Sequence, residues 1–193
     1  MEILFEVKNS TGVITLSRPK ALNALNLNMA IQLSKKLKEW EDDNAVERVI
    51  LLGEGNHFCA GGDVKSVHLS GPFSELKREF FSKEYSLNLQ IKNFPKPYLS
   101  IWKGVVMGGG VGLSIYGDYR IATDSTKFAM PETSIGFFPD VGASFFLSRM
   151  ENNIGKYLGL TGELIQCKDL LNFGLATHYC REDKLEILIM VSK

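Results

Sequence analysis

Cysteine, histidine and surplus charge are scarce in this 193-residue sequence, and each scarcity removes a class of function. Lysine plus arginine number 22 and aspartate plus glutamate 22, so the formal net charge is zero. A nucleic-acid binder draws its affinity from phosphate neutralisation by a basic excess, which is missing here. A small anionic ligand remains compatible with this balance, because a few local cations and backbone N–H groups suffice to hold one. The three cysteines, Cys59, Cys167 and Cys180, form no CxxC pair and are odd in number. With no signal peptide ahead of them they read as free thiols in a reducing compartment. The three histidines, His57, His68 and His178, lack metal-ligand spacing and no HExxH occurs, so each reads as a surface or loop residue and no metal is expected.

Long apolar runs are missing as well. The longest uncharged stretch, residues 104–117, has 14 residues of which six are glycine. A bilayer span needs about 20 mostly apolar residues, so no membrane partner is expected. Residues 1–6 form neither a basic n-region nor an Arg/Ser-rich transit segment. The expected compartment is therefore the cytoplasm, with the mitochondrial matrix as the alternative. What is present is an ordinary globular mix, 45% apolar and 23% charged. A chain of this length buries roughly 70% of its unfolded surface, enough for a core without disulfides or metals. No repeat or linker divides it, so a single domain over 1–193 is expected.

Periodicity supplies the elements. Short strands are expected at 3–7 and 13–16, a helix at 27–42 with Ala30, Leu33, Leu37 and Trp40 on one face, and a buried strand at 48–52. A glycine-broken loop over 53–62 leads into a helical segment near Asp63. A second long helix spans 73–92, and the position between Phe80 and Leu87 on its apolar face is Glu84. Further strands are expected at 98–102, 119–122, 127–129 and 177–180, and helices after 136 and at 153–159 and 167–173. Strands alternating with helices predict an α/β fold with parallel pairing. The run over 186–193 stops without a cap or polar tail, which suggests a truncated chain.

The glycines do not spell a nucleotide site. A dinucleotide fingerprint needs glycine at the first, third and sixth positions, and counting from Gly108 the sixth is Leu113. No Gly-Lys-Ser/Thr follows, which excludes a P-loop. The nearest nucleophile elbow, Gly112-Leu113-Ser114-Ile115-Tyr116-Gly117, has one residue too many. Neither a nucleotide cofactor nor any other cofactor is expected. What remains is a backbone-based site: Phe58-Cys59-Ala60-Gly61-Gly62-Asp63 and Met107-Gly108-Gly109-Gly110 both join a strand to a helix. Exposed N–H groups at such junctions suit a developing negative charge, and two of them converging make an oxyanion hole. The alternative is that the glycines only permit tight turns and close packing.

These two segments, with Ser17-Arg18-Pro19-Lys20-Ala21-Leu22-Asn23-Ala24-Leu25 upstream, resemble the crotonase (enoyl-CoA hydratase/isomerase) superfamily. Phe80-Phe81-Ser82-Lys83-Glu84-Tyr85, Phe128-Ala129-Met130-Pro131-Glu132-Thr133 and Gly136-Phe137-Phe138-Pro139-Asp140-Val141-Gly142 resemble its 3-hydroxyisobutyryl-CoA hydrolase branch. The resemblance implies a spiral of βαβ turns, with C-terminal helices missing or incomplete, that binds an acyl-CoA thioester carbonyl between two backbone amides. It assigns these to Ala60, or its immediate neighbour, and Gly109. CoA would lie along Gly61, Gly62 and Asp63 and near Lys20, with Gly108 also touching substrate. The hydratases of the superfamily use two glutamates; the first would fall at Gly112 and the second matches Glu132. Asp140, eight residues beyond, follows the hydrolase pattern.

The implied chemistry is attack by Glu132 on the thioester, release of CoA, and hydrolysis of the mixed anhydride. Asp140 would bind the substrate's 3-hydroxyl or position water. Glu84 would complete the polar end of the acyl pocket; read from its helix alone, it is equally a core-edge carboxylate capping a neighbouring segment. Three functions stay open: a β-hydroxyacyl-CoA hydrolase of the valine-breakdown type, a single-glutamate enoyl-CoA isomerase or hydratase, and an inactive acyl-CoA-binding remnant. Acyl-CoA is the expected partner, and the resemblance also admits a homo-oligomer.

Overall fold

The computed structural model describes residues 1–185, so the run at 186–193 lies outside the described residues. The expected hairpin forms: β1 (Ile3–Lys8) pairs antiparallel with β2 (Thr11–Leu16). Asn9 and Ser10 between them both have positive φ, the conformation a two-residue hairpin turn requires. Helix α1 (Leu27–Asp42) starts where the Asn26 side chain accepts the Met29 N–H at 2.9 Å. Its expected stripe is buried, with Met29 added to it. In β3 (Arg48–Gly53), Val49, Ile50 and Leu51 are buried on both faces of the sheet.

Two helices follow, α2 (Val64–Leu69), capped by Asp63, and α3 (Glu75–Lys92), capped by Ser74. After them come β4 (Tyr98–Trp102), β5 (Val105–Met107), the single turn α4 (Gly109–Gly112), β6 (Tyr119–Ala122) and β7 (Lys127–Ala129). A 3-10 turn over Glu132–Ile135 precedes α5 (Ala143–Leu147) and α6 (Ile154–Thr161). β8 (Ile165–Gln166), α7 (Cys167–Asn172), β9 (His178–Tyr179) and a 3-10 turn over Glu182–Lys184 close the described chain. The main sheet runs β1-β2-β3-β4-β6-β9, parallel except at the β1–β2 edge; a smaller sheet runs β5-β7-β8. β5 and β8 were not expected: at three and two residues they owe their form to partners far along the chain, not to periodicity. Among the described residues no helix is long and apolar enough to cross a membrane.

The main core lies between the sheets and helices α1 and α3, and a smaller cluster of Ile50, Ile101 and Ile121 fills the other face of the large sheet. One buried polar group fastens the early loop to the chain downstream. Asn23, fully buried with φ 57°, accepts the Arg18 N–H at 2.9 Å and donates to the carbonyls of Glu54 at 3.0 Å and His57 at 2.7 Å. Beside it, Ala60 N–H donates to Leu22 at 3.0 Å, Leu25 to Gly61 at 2.8 Å and Asp63 to Leu25 at 2.7 Å. The loop therefore acts as a splint along residues 60–63. Asn23→Ala strands two carbonyls and one amide, at about 1–3 kcal/mol for a buried unpaired group. We expect it to lose about 3 kcal/mol or more in urea unfolding, with an unchanged m-value; a loss below about 1 kcal/mol would show that the splint holds without it.

Candidate active site

The splint decides which amides are free. Residues 59–63 run between β5 and the 22–25 loop: Cys59 exchanges hydrogen bonds with Val105 and Met107 at 3.0 Å on one side, and Leu25 bridges to Gly62 on the other. Cys59, Ala60 and Asp63 N–H groups are consumed there, whereas Gly61 and Gly62 donate to no acceptor among the described residues. This corrects the expectation for Ala60: its N–H is committed to Leu22, so it lines the cavity without being an oxyanion donor. The free amide that meets the second glycine segment is that of Gly62. A Cβ placed on Gly109 would lie 2.9 Å from Gly62 N, and one on Gly61 would lie 3.6 Å from Gly109 N. Gly109 begins α4, so its N–H has no intrahelical acceptor and joins the Gly62 N–H at one spot. Any side chain on Gly109 would also collide with Glu84 Oε1, which explains the glycine.

A cavity of about 470 Å³ opens over these amides. Ala60, Gly61, Gly62, Gly108, Gly109, Glu84, Glu132 and Asp140 all line it, which unites eight of the ten expected site residues. Lys20 and Asp63 do not line it. Asp63 is occupied elsewhere: it accepts the Ser66 N–H as the cap of α2 and pairs with Arg18 at 2.9 Å. Those bonds hold its carboxyl below the usual range against the opposing effect of burial. Lys20 sits exposed in the 3-10 turn Pro19–Ala21. Sequence reasoning missed the wall residues Phe80, Phe81 and Phe137 and the rim residues His68 and Lys77. His68, read as a surface histidine, is exposed on α2 at that rim.

Three carboxylates face the cavity, and no ion pair links any of them to a described cation. Glu84 comes from the buried face of α3, is 2% exposed, and its Oε1 has no hydrogen-bond partner. It caps nothing, which removes the purely structural reading of this residue. Burial first, then the charges of Asp140 and Glu132, push its carboxyl up to about 8. Glu132 opens the 3-10 turn after β7 and is 8% exposed. Its Oε1 lies against Gly108, where a Cβ would be 2.8 Å away, and its Oε2 is unpartnered. Burial, with a smaller push from Asp140, raises it to about 7. Burial also raises Asp140, against a hydrogen bond donated by Tyr85 Oη to Oδ2 at 2.7 Å. Both glutamates therefore hold their protons to higher pH than a free carboxyl, and the deeper Glu84 does so the more strongly.

The free cysteines take no part in this balance: burial drives the Cys59 thiol up to about 12, so it is no nucleophile at neutral pH. The carboxylates carry a stability consequence. Glu84 binds its proton up to about pH 8 when folded and only to 4.5 when free. Its contribution is therefore fully present below pH 4.5 and is lost as pH rises through 8. Glu84→Gln removes this titration, so the variant should gain about 3–5 kcal/mol over the parent at alkaline pH and nothing at acid pH. Unfolding curves at both pH values check this; a constant offset at both would assign the effect to packing alone.

Comparison with known proteins agrees with this geometry. Residues 11–190 match the family model described as enoyl-CoA hydratase/isomerase. The mitochondrial 3-hydroxyisobutyryl-CoA hydrolases of Danio rerio and Homo sapiens are 47% and 46% identical to it, each over 97% of this chain and 50% and 49% of their own length. The probable 3-hydroxyisobutyryl-CoA hydrolase 3 of Arabidopsis thaliana is 48% identical over 97% of this chain and 50% of its own. The chain thus spans about half the length of the curated relatives it matches. Among solved structures, an enoyl-CoA hydratase from Rhodobacter sphaeroides superposes with a TM-score of 0.94 at 38% identity, covering 98% of this chain and 57% of that one. A carnitinyl-CoA dehydratase from Mycobacterium thermoresistibile does so at 0.94 and 42%, covering 97% and 56%. The chain belongs to the enoyl-CoA hydratase/isomerase family, and its α/β spiral is the crotonase fold.

Proposed function

We propose that this site hydrolyses the thioester of a short-chain β-hydroxyacyl-CoA, 3-hydroxyisobutyryl-CoA in particular, to the free hydroxy acid and CoA. The observation that carries the reading is Glu132: a buried carboxylate with one free oxygen shares a cavity with the paired Gly62 and Gly109 amides. No second acid stands at position 112, where a two-glutamate hydratase would carry one. Gly112 is closed over instead: a Cβ there would meet Val141 Cβ at 2.7 Å and the Asn88 amide at 2.9 Å. The 3-hydroxyisobutyryl-CoA hydrolases among its relatives support the same choice. Their mitochondrial label in the animal relatives supports the mitochondrial alternative over the cytoplasm expected from the amino terminus.

In this reading the thioester carbonyl oxygen sits between the N–H groups of Gly62 and Gly109. A Glu132 carboxylate oxygen adds to the carbonyl carbon, and the amides stabilise the tetrahedral oxyanion. Losing one such donor costs about 10²–10³ in rate. Collapse breaks the C–S bond; the CoA thiolate leaves and is protonated by solvent. Water then opens the acyl–Glu132 anhydride, releasing the acid and restoring the carboxylate. Glu84, which holds its proton to higher pH than Glu132, keeps a second negative charge away from Gly109 while the oxyanion forms. Asp140 takes the substrate's 3-hydroxyl. The reaction as written needs only thioester, water and these residues.

Glu132→Gln keeps the shape and removes the nucleophile, so CoA release, followed with a thiol reagent, should stop. Hydroxylamine trapping during turnover should leave a hydroxamate at Glu132 in the parent and none in the variant. Continued CoA release with an unmodified Glu132 would exclude the anhydride route. Asp140→Asn should slow turnover of 3-hydroxyisobutyryl-CoA, and the deficit should shrink on isobutyryl-CoA, which lacks the hydroxyl. Equal deficits on both substrates would remove Asp140 from hydroxyl recognition.

A further inference from the structure

Asp140 stands on an irregular segment held by its backbone, where the Asp140 carbonyl accepts from Ala143 N–H at 2.7 Å and the Val141 carbonyl from Tyr116 Oη at 3.0 Å, so what remains to be fixed is its side chain. Gly136, Val141 and Gly142 all have positive φ, and no regular element spans residues 136–142. Its carboxylate has one side-chain hydrogen-bond donor among the described residues, the Tyr85 hydroxyl, 2.7 Å from Oδ2. Tyr85 comes from α3, directly after the cavity-lining Glu84, and itself lies beside Asp140 outside the cavity's lining. Its ring is held independently: Phe81, one turn earlier, lies 5.9 Å from Tyr85 and stacks at 5.9 Å on Phe137, which stacks at 4.4 Å on Phe138. An aromatic row thus ties α3 to the Asp140 segment, and the phenol is the polar end of that tie. The tyrosine is 40% exposed, so burial of the ring alone does not account for its orientation.

We propose that Tyr85 is the positioning residue for Asp140, occupying Oδ2 so that Oδ1 is left to accept the substrate's 3-hydroxyl, and thereby sets the preference for 3-hydroxyacyl over plain acyl thioesters. A carboxylate that rotates freely offers either oxygen in many directions, whereas one pinned at Oδ2 offers a single acceptor in a fixed direction. The hydrogen bond also helps keep Asp140 an acceptor. The ionisable groups facing it are Glu84 and Tyr85 from α3 and Glu132 from the turn after β7, with Lys77 at the cavity rim and unpaired to any of them. Both glutamates are anionic or neutral, so what opposes protonation of Asp140 is the Tyr85 donor first and the aspartate's own backbone N–H second.

The proposal rests on the hydrolase reading, and its test separates the two. The parent, Tyr85→Phe, Asp140→Asn and the double variant are assayed on 3-hydroxyisobutyryl-CoA and isobutyryl-CoA. Tyr85→Phe should cut the kcat/KM ratio of the two substrates about tenfold, the scale of one lost hydrogen bond. The double variant should lose no more preference than Asp140→Asn alone, because both changes remove one interaction. In ¹³C NMR of labelled aspartate, the Asp140 carboxyl should titrate at higher pH in Tyr85→Phe than in the parent, a readout independent of turnover. If Tyr85→Phe does not fold, 3-fluorotyrosine at position 85 keeps the shape while changing the acidity of the phenol, and should shift the same resonance. An unchanged substrate ratio in an active protein, or an Asp140 titration that ignores position 85, would overturn the proposal. If the parent releases no CoA, the hydrolase reading fails and the carboxyl titration alone decides the positioning role.

Discussion

The site depends on how residues 60–63 are held. Ala60 N–H donating to Leu22, Leu25 N–H donating to Gly61 and Asp63 N–H donating to Leu25 fasten this segment, and the bridge to β5 fastens its start. Such pairing consumes the N–H groups of Ala60 and Asp63 and leaves those of Gly61 and Gly62 without an acceptor among the described residues, with Gly62 N beside Gly109. An oxyanion donor is useful only if it does not reorganise when charge develops. Here immobility comes from neighbours whose hydrogen bonds are already made, with Asn23 and the Arg18–Asp63 pair locking the loop that supplies the acceptors. Residues that never touch the cavity therefore determine its most exacting distance.

Against that rigid frame stands an electrostatic liability. Glu84, Glu132 and Asp140 share one partly desolvated space without a paired cation. Burying carboxylates in this way costs stability, and a fold selected for stability alone would replace at least Glu84 with an apolar residue. The benefit is separation of protonation states. Identical side chains are pushed up to different degrees, Glu84 further than Glu132, and under the proposed function the less shifted of the two is the nucleophile. The ordering follows depth, since Glu84 is the more buried of the two.

Much of this was legible in the chain. Helical periodicity exposed Glu84 as a carboxylate on an apolar face, and the repeated glycine segments marked two strand–helix junctions where backbone, not side chains, meets the ligand. The resemblance drew Glu132 and Asp140 into the same site, and the cavity unites them. Illegible were the features set by distant partners. Whether Ala60 or Gly62 offers its N–H depends on Leu22 and Leu25, roughly 40 residues upstream, and no local pattern encodes it. β5 and β8 are too short to show a period and exist only as partners of β7. Asp63 looked like a ligand contact because it ends the glycine segment; its position just before a helix is equally that of a cap, and the structure uses it so. Tyr85 was in view within a quoted motif, but its partner is 55 residues away.

Helix α3 is the element where these constraints meet. Within little more than one turn it delivers Glu84 against Gly109, Tyr85 to Asp140 and Asn88 over Gly112. Residues 84 and 88 share its inner face at one-turn spacing, while Tyr85 is rotated by about 100° toward Asp140. A shift of α3 along its axis would disturb the surroundings of Gly109, the Tyr85–Asp140 hydrogen bond and the closed space at position 112 together. Its own placement is secured by Phe80, Leu87 and Ile91 in the core and by Ser34–Gln90 hydrogen bonds at 2.7 and 3.0 Å to α1. Because α1 begins immediately after the splint, the same upstream segment positions both the amide that receives the oxyanion and the helix that carries the carboxylate behind it.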